Sequence, residues 1–321
     1  MRVIAQSRLR IFLLCLAMLC SSLGLVILGP ATPAKADPPC MTNGGVYVVF
    51  VRGSGEHIDG PRATAFKNAI FPLLPVNKEW VELGNLANST PPGGDPIAAS
   101  AYKAVGWADW GIFDGMDGYF NSVWTGVDEL TRHLNDRAAR CPKESIVIGG
   151  YSQGAQVVDQ ALLGVYNYTL SRIGYVALYG DPRSTACDTV NRAPWARGSA
   201  NCARGSLGTQ IPYARDDLIY RTGSWCDSHD GVCTGNKVYL PLFNNPLSTH
   251  GSAYQERWIP DSAPEVANKA LSRYNMLNPN SPVSLPSYIV SLPDTSADSP
   301  AAPPPAPTIK SIKRTVAGLR V

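Results

Sequence analysis

An α/β fold, with a parallel sheet covered by helices on both faces, is predicted by three observations on this 321-residue chain. Val46-Tyr47-Val48-Val49-Phe50-Val51 is apolar throughout, as a strand buried on both sides should be. A second β-branched run, Ser145-Ile146-Val147-Ile148-Gly149, leads directly into a helical pattern. Other strand-like and helix-like segments alternate around these two, which is the pattern of parallel strands joined by helical crossovers.

The elements follow in order. After the first strand, Trp80-Val81-Glu82-Leu83 reads as an edge strand. Val123, Val127, Leu130, Leu134 and Ala138 recur at helical spacing and mark one face of a helix that stops near Cys141-Pro142. Ile146–Gly150 is the next strand, and Ala155, Val158, Ala161 and Leu162 form the apolar face of the helix behind it. Tyr175–Tyr179 is a further strand, ending at Gly180-Asp181-Pro182, and Leu218–Arg221 is read as the fourth. No internal repeat is visible.

The ends differ in character from the middle. Arg2, Arg8 and Arg10, an apolar stretch from Ile11 to Leu28, and Ala34-Lys35-Ala36 have the layout of a secretory signal peptide over residues 1–36. Residues 37–298 are long enough for one α/β domain. Residues 299–321 are rich in Pro and Ala, then basic, and read as a disordered tail, a ragged terminus in preference to an arm that contacts the cell wall or envelope. The leader holds four of the 28 basic residues and no acidic one, so 24 basic residues face 25 acidic ones after its removal. Four of those 24, Lys310, Lys313, Arg314 and Arg320, lie in the tail. This balance gives no support to a nucleic-acid partner.

Gly150-Tyr151-Ser152-Gln153-Gly154 occupies the strand-to-helix junction. G-x-S-x-G in that setting is a nucleophile elbow, in which flanking glycines leave room for a strained serine with its hydroxyl above the sheet. Such a serine needs a base, and the base needs an acid to orient it. The chain has four histidines. The order serine, acid, histidine of α/β hydrolases excludes His57 and His133. His133, on the helix before the elbow strand, is expected at the surface. Of the remaining two, His250 stands after the last strand, where the base should arrive, while His229 abuts Asp230 and reads as a solvated loop residue. Asp181, Asp216, Asp217, Asp227 and Asp230 are candidate acids. Asp230 is preferred because a short Cys226–Cys233 loop would hold it rigidly, and Asp181, directly after a strand, is its rival. For an oxyanion hole, the backbone N–H of Gln153 is one donor. The other is expected from Arg52-Gly53-Ser54-Gly55-Glu56, after the first strand.

Two of the eight cysteines lie in the leader. The other six, Cys40, Cys141, Cys187, Cys202, Cys226 and Cys233, are an even set and imply three disulfides in an exported chain. If the first and elbow strands are parallel neighbours, Cys40 and Cys141 start at the same end of the sheet. Cys226 and Cys233 close a local loop, which leaves Cys187 with Cys202. No Cys-x-x-Cys or His-Cys cluster has zinc spacing, so no metal site is implied.

Arg52-Gly53-Ser54, Gly150 to Gly154, Cys226 through Asp230 to Cys233, and His250 before Gly251 together resemble the four signature segments of the cutinases. The resemblance implies a three-layer α/β-hydrolase-type fold around a five-stranded parallel sheet, with no cofactor. It implies Ser152 as nucleophile, Asp230 as acid and His250 as base, with Ser54 and Gln153 at the oxyanion positions. It also implies the pairings Cys40–Cys141 and Cys226–Cys233. The leader and the extra cysteine pair are more similar to secreted actinobacterial members than to fungal ones. The expected activity is hydrolysis of carboxylic, lipid or fatty-acyl esters by a monomeric protein of the medium or envelope. A mycolate-ester hydrolase or acyltransferase with the same residues, and a non-catalytic lipid-binding protein, are the alternatives.

One segment departs from compact fungal members. Residues 101–124 carry Tyr102, Trp107, Trp110, Phe113, Tyr119, Phe120 and Trp124, seven of the chain's 28 aromatics, interleaved with four glycines. So many glycines argue against a core helix, and the segment reads as a shaped loop lining an apolar cleft, with Trp107, Trp110, Phe113 and Phe120 against the substrate.

Overall fold

Five parallel strands form a single sheet in the order β2-β1-β3-β4-β5. The computed structural model describes residues 38–84, 102–105, 115–185, 190–192, 204–208, 217–236 and 249–286. Residues 1–36 and 299–321, Trp107, Trp110, Phe113, Asp216, Cys187 and Cys202 lie outside them. Every element described falls in the first of two compact units, Met1–Leu285. No helix among the described residues is long and apolar enough to cross a membrane.

The elements are β1 (Gly45–Val51), α1 (Pro61–Ile70), β2 (Lys78–Glu82), α2 (Gly115–Arg140), β3 (Glu144–Tyr151), α3 (Gln153–Ala161), α4 (Asn167–Leu170), β4 (Ile173–Tyr179), β5 (Thr222–Trp225), α5 (Gly231–Thr234), α6 (Thr249–Ala253) and α7 (Ile259–Leu277). A π-helical turn, Tyr254–Trp258, joins α6 to α7.

Alternate side chains of the central strands divide the core in two. Tyr47, Val49, Val51, Ile146, Ile148, Val176 and Leu178 pack with Val123, Leu130 and Leu134 of α2 and Val158 of α3. Val46, Val48, Phe50, Val147, Tyr175, Ala177 and Tyr179 pack with Phe66 of α1 and Ile259, Val266 and Ala270 of α7. This is why β1, β3 and β4 are buried at every position, and the two packed faces make a three-layer fold.

β1 and β3 are parallel neighbours with Gly45 opposite Glu144. Cys40 and Cys141 therefore start at one end of the sheet, and they are joined, as are Cys226 and Cys233. Next to the first bridge, Arg137 pairs with Glu144 at 2.7 Å and stacks 4.0 Å above the ring of Tyr47. Glu144 also accepts the N–H of Met41. Burial of this pair ties the segment before β1 to the end of α2.

Three expectations need correction. Leu218–Arg221 is not a strand: Ile219–Arg221 is a 3₁₀ turn, and β5 begins at Thr222. His133 is buried rather than exposed, with Nε2 3.0 Å from the Tyr47 hydroxyl. Residues 115–124 are not a loop but the first turns of α2. Among the described residues, the helix carries Gly118 without any close approach that requires it, whereas further along a Cβ on Gly126 would lie 2.8 Å from the ring of Tyr102 and 3.0 Å from Val157.

Candidate active site

The turn from β3 to α3 sets the centre of the site. Ser152 has φ +53°, a strained value for a residue other than glycine. Its neighbours make that conformation possible. A Cβ on Gly150 would lie 2.7 Å from the Gly154 carbonyl, and a Cβ on Gly154 would collide with the Val51 carbonyl. The strand end, the turn and the helix therefore approach more closely than any side chain would permit. Ser152 N–H donates to the Tyr179 carbonyl at 2.8 Å, which fixes the turn to β4.

His250, in the first turn of α6, brings Nε2 to 2.9 Å from Ser152 Oγ. Its Nδ1 lies 2.7 Å from Asp230 Oδ2. A carboxylate only accepts, so Nδ1 carries the hydrogen and Nε2 is left to receive the serine proton. Asp230 and His250 are both buried. Asp230 Oδ1 accepts the N–H of Val232, so the disulfide loop and the start of α5 orient the carboxylate. Asp181, the rival acid, is also buried, but its Oδ1 accepts the N–H of Arg183 and braces the turn after β4. His229 is mostly exposed beside Asp227.

Several participants were missed from the sequence. Tyr254 donates its hydroxyl to Asp230 Oδ2 at 2.6 Å and accepts the N–H of Asp227. Burial first, then the Asp230 charge, pushes the Tyr254 hydroxyl well above its ordinary value, which keeps it a donor. Trp258 donates from Nε1 to Asp227 Oδ2 at 3.2 Å. Four-residue spacing in the helical segment from Thr249 thus sends His250, Tyr254 and Trp258 to the same disulfide loop. Tyr151 stacks on the His250 ring with centroids 5.2 Å apart and donates to the His250 carbonyl. The Arg62 guanidinium lies 5.0 Å from the Tyr151 ring centroid, donates to the Gly251 carbonyl and pairs with Glu56. Glu56 in turn accepts the N–H of Gly53 at 2.7 Å, so Arg62 links the Arg52–Glu56 loop to the histidine segment. A helical pattern with aromatics at four-residue spacing gives no signal that separates such roles from core packing.

Of the expected oxyanion positions, Gln153 follows the serine directly, and Ser54 lies in the loop after β1, the strand paired with β3. Gln153 opens α3, where backbone N–H groups lack intrahelical acceptors. Its side-chain oxygen accepts from the hydroxyls of Tyr102 at 2.9 Å and Ser122 at 3.3 Å. Ser54 donates its hydroxyl to the Val105 carbonyl at 2.7 Å, and Gly55 N–H donates to the Ala104 carbonyl. Residues 102–105 therefore hold this loop, and the Ser54 proton is turned toward Val105 rather than toward Ser152. Of the expected substrate-lining side chains, Phe120 is described: it is half-buried on α2, edge-on to Tyr119 at 5.4 Å and packed against the core.

Cys40, Cys141 and Glu144 are the one group among the described residues with metal-type atoms in range of each other. Both sulfurs are in the disulfide and the carboxylate is held by Arg137.

The cutinase family model matches residues 92–257, more than half of the chain. The chain belongs to the cutinase family. Among curated relatives, Carboxylesterase Culp1 of Mycobacterium tuberculosis is 28% identical over 146 residues, 44% of this chain and 60% of that protein. Cutinase cut1 of Trichoderma harzianum is 36% identical over 167 residues, covering 49% of this chain and 56% of that one. The chain thus spans about 60% of the length of the first curated relatives it matches. Among solved structures, an acetylxylan esterase superposes with a TM-score of 0.50 at 16% identity, over 72% of this chain and 99% of that one. At that identity the likeness concerns the fold alone.

Proposed function

We propose that this cutinase-family chain is an exported serine esterase that cleaves carboxylic esters, with fatty-acyl or other lipid esters as the substrate class. One observation carries the reading: the unbroken row from Asp230 through His250 to Ser152, with both hydrogen bonds under 3 Å. His250 Nε2 takes the proton of Ser152 Oγ as that oxygen attacks the ester carbonyl carbon. Asp230 stabilises the imidazolium, and the Gln153 N–H with the Ser54 loop receives the oxyanion. The tetrahedral intermediate collapses, the alcohol departs with the proton from His250, and an acyl-serine remains. Water, deprotonated by His250, then releases the acid. The Ser54 hydroxyl would turn from Val105 to join the oxyanion donors.

Export is supported by the leader-like residues 1–36 and by the two disulfides, which persist in oxidising compartments. The test is hydrolysis of p-nitrophenyl esters from acetyl to palmitoyl by the mature chain and by Ser152→Ala. Activity in the first and a loss of roughly four orders of magnitude or more in the second is expected. Retention of most activity in Ser152→Ala would overturn the assignment, and activity confined to short acyl chains would overturn the lipid-ester part.

A further inference from the structure

Three arginines gather where β4 and β5 begin, at the end of the sheet opposite Ser152. Arg172 immediately precedes β4, Arg221 immediately precedes β5, and Arg273 lies in the last part of α7. All three converge on Leu170–Gly174. Arg221 donates to the carbonyls of Leu170 and Ile173. Arg273 Cβ lies 3.4 Å from the point where Gly174 would carry a Cβ.

Each of these side chains is partly withdrawn from water. Among the described residues, Arg172 Nε and Arg273 Nε are buried nitrogens without a hydrogen-bond partner. Their charges also oppose one another. Burial, and then the Arg273 guanidinium, push Arg221 down to about 10, with Asp217 acting in the other direction. Burial, and then Arg172, push Arg273 below its ordinary value. Gathering like charges in a half-desolvated place is costly unless an anion completes it. Guanidinium forks match the geometry of a phosphate, to which they can donate in pairs. Tyr220, beside Arg221, and Met276, one turn beyond Arg273, are the most exposed large apolar side chains described, at 82% and 67%. Such neighbours suit a phosphate presented on a lipid.

We propose that Arg172, Arg221 and Arg273 form a binding site for a phosphate group, free or carried by a lipid headgroup, remote from Ser152. The site would hold the protein on a phosphate-bearing surface with its serine directed away from that surface, or would respond to soluble phosphate.

The experiment uses the whole mature chain in two arms. In the first, the thermal midpoint is followed in sodium phosphate against sodium chloride at equal ionic strength. In the second, the protein is sedimented with phosphatidylcholine vesicles with and without phosphatidylglycerol. Arg221 also holds backbone carbonyls, so Arg273→Gln and Arg172→Gln are the variants used. A phosphate-specific rise in the midpoint is expected, with phosphate affinity at least about tenfold weaker in either variant and p-nitrophenyl ester hydrolysis unchanged. Retention on phosphatidylglycerol vesicles, lost in the variants, assigns the phosphate to a headgroup. Stabilisation without vesicle retention assigns it to the free ion. Neither effect in the wild-type chain, or effects that survive both substitutions, would overturn the proposal.

Discussion

The hydroxyl of Tyr254 lies 2.6 Å from Asp230 Oδ2, the oxygen that also faces His250 Nδ1 at 2.7 Å. Two donors therefore share one carboxylate oxygen, and the other oxygen is held by Val232 N–H. Tyr254→Phe removes one of the three bonds that set the carboxylate plane while keeping the ring in place. A hydrogen bond to a charged acceptor contributes about 1.5–3 kcal/mol. We expect kcat for a p-nitrophenyl ester to fall about tenfold or more, with KM little changed. A fall in thermal midpoint with intact kcat would reduce Tyr254 to a packing residue.

Ser54 offers a second test, because its hydroxyl faces Val105 in this structure. If the hydroxyl turns to the oxyanion during reaction, Ser54→Ala should lower kcat by about a hundredfold, the usual effect of losing one such donor. If it stays on Val105 throughout, the thermal midpoint will fall and kcat will hardly move. Steady-state kinetics beside a melting curve separates the two.

Glu82 predicts a pH effect on stability. Burial raises its carboxyl above the ordinary 4.5, and the N–H groups of Asp59 and Trp80 offset this only in part. The folded chain then holds this proton more tightly than the unfolded chain does. The contribution is fully present below the ordinary value and is lost as pH rises through the raised one. Glu82→Gln should remove that slope. Its midpoint relative to wild type should be higher near neutrality than in acid.

Two glycines predict opposite outcomes. Gly154→Ala would force a Cβ into the Val51 carbonyl and should destabilise the chain by on the order of 3 kcal/mol. Among the described residues, Gly118→Ala in α2 meets nothing closer than Val105 at 3.9 Å. It should be neutral or stabilise by about 0.5–1 kcal/mol, the helix-propensity gain. Denaturant midpoints for the two variants make the comparison.

What could be read from the sequence was set by how local each signal is. The elbow is legible because strand, turn and helix are contiguous, and both glycines stand where the backbone approach requires them. The Asp230–His250 pairing was reachable because chain order and a disulfide between cysteines seven positions apart left few choices. Tyr254 and Trp258 were not, since their partners lie more than 20 residues away and nothing local distinguishes them from core aromatics. Leu218–Arg221 has the apolar and aromatic character of a strand, yet β5 is Thr222-Gly223-Ser224-Trp225, where the sheet supplies the pairing. His133 reads as solvated on its own helix; its burial depends on Tyr47 from β1.

The helical run from Thr249 to Leu277 also bears on which changes of chain length this protein can absorb. Each residue added to an α-helix turns everything beyond it by about 100°. A single codon gained or lost between His250 and Trp258 would therefore swing the indole off Asp227, or the imidazole off Asp230, without altering a single side chain. Insertions and deletions should thus be excluded between His250 and Trp258, which gives engineers of this chain a stretch to leave intact when grafting.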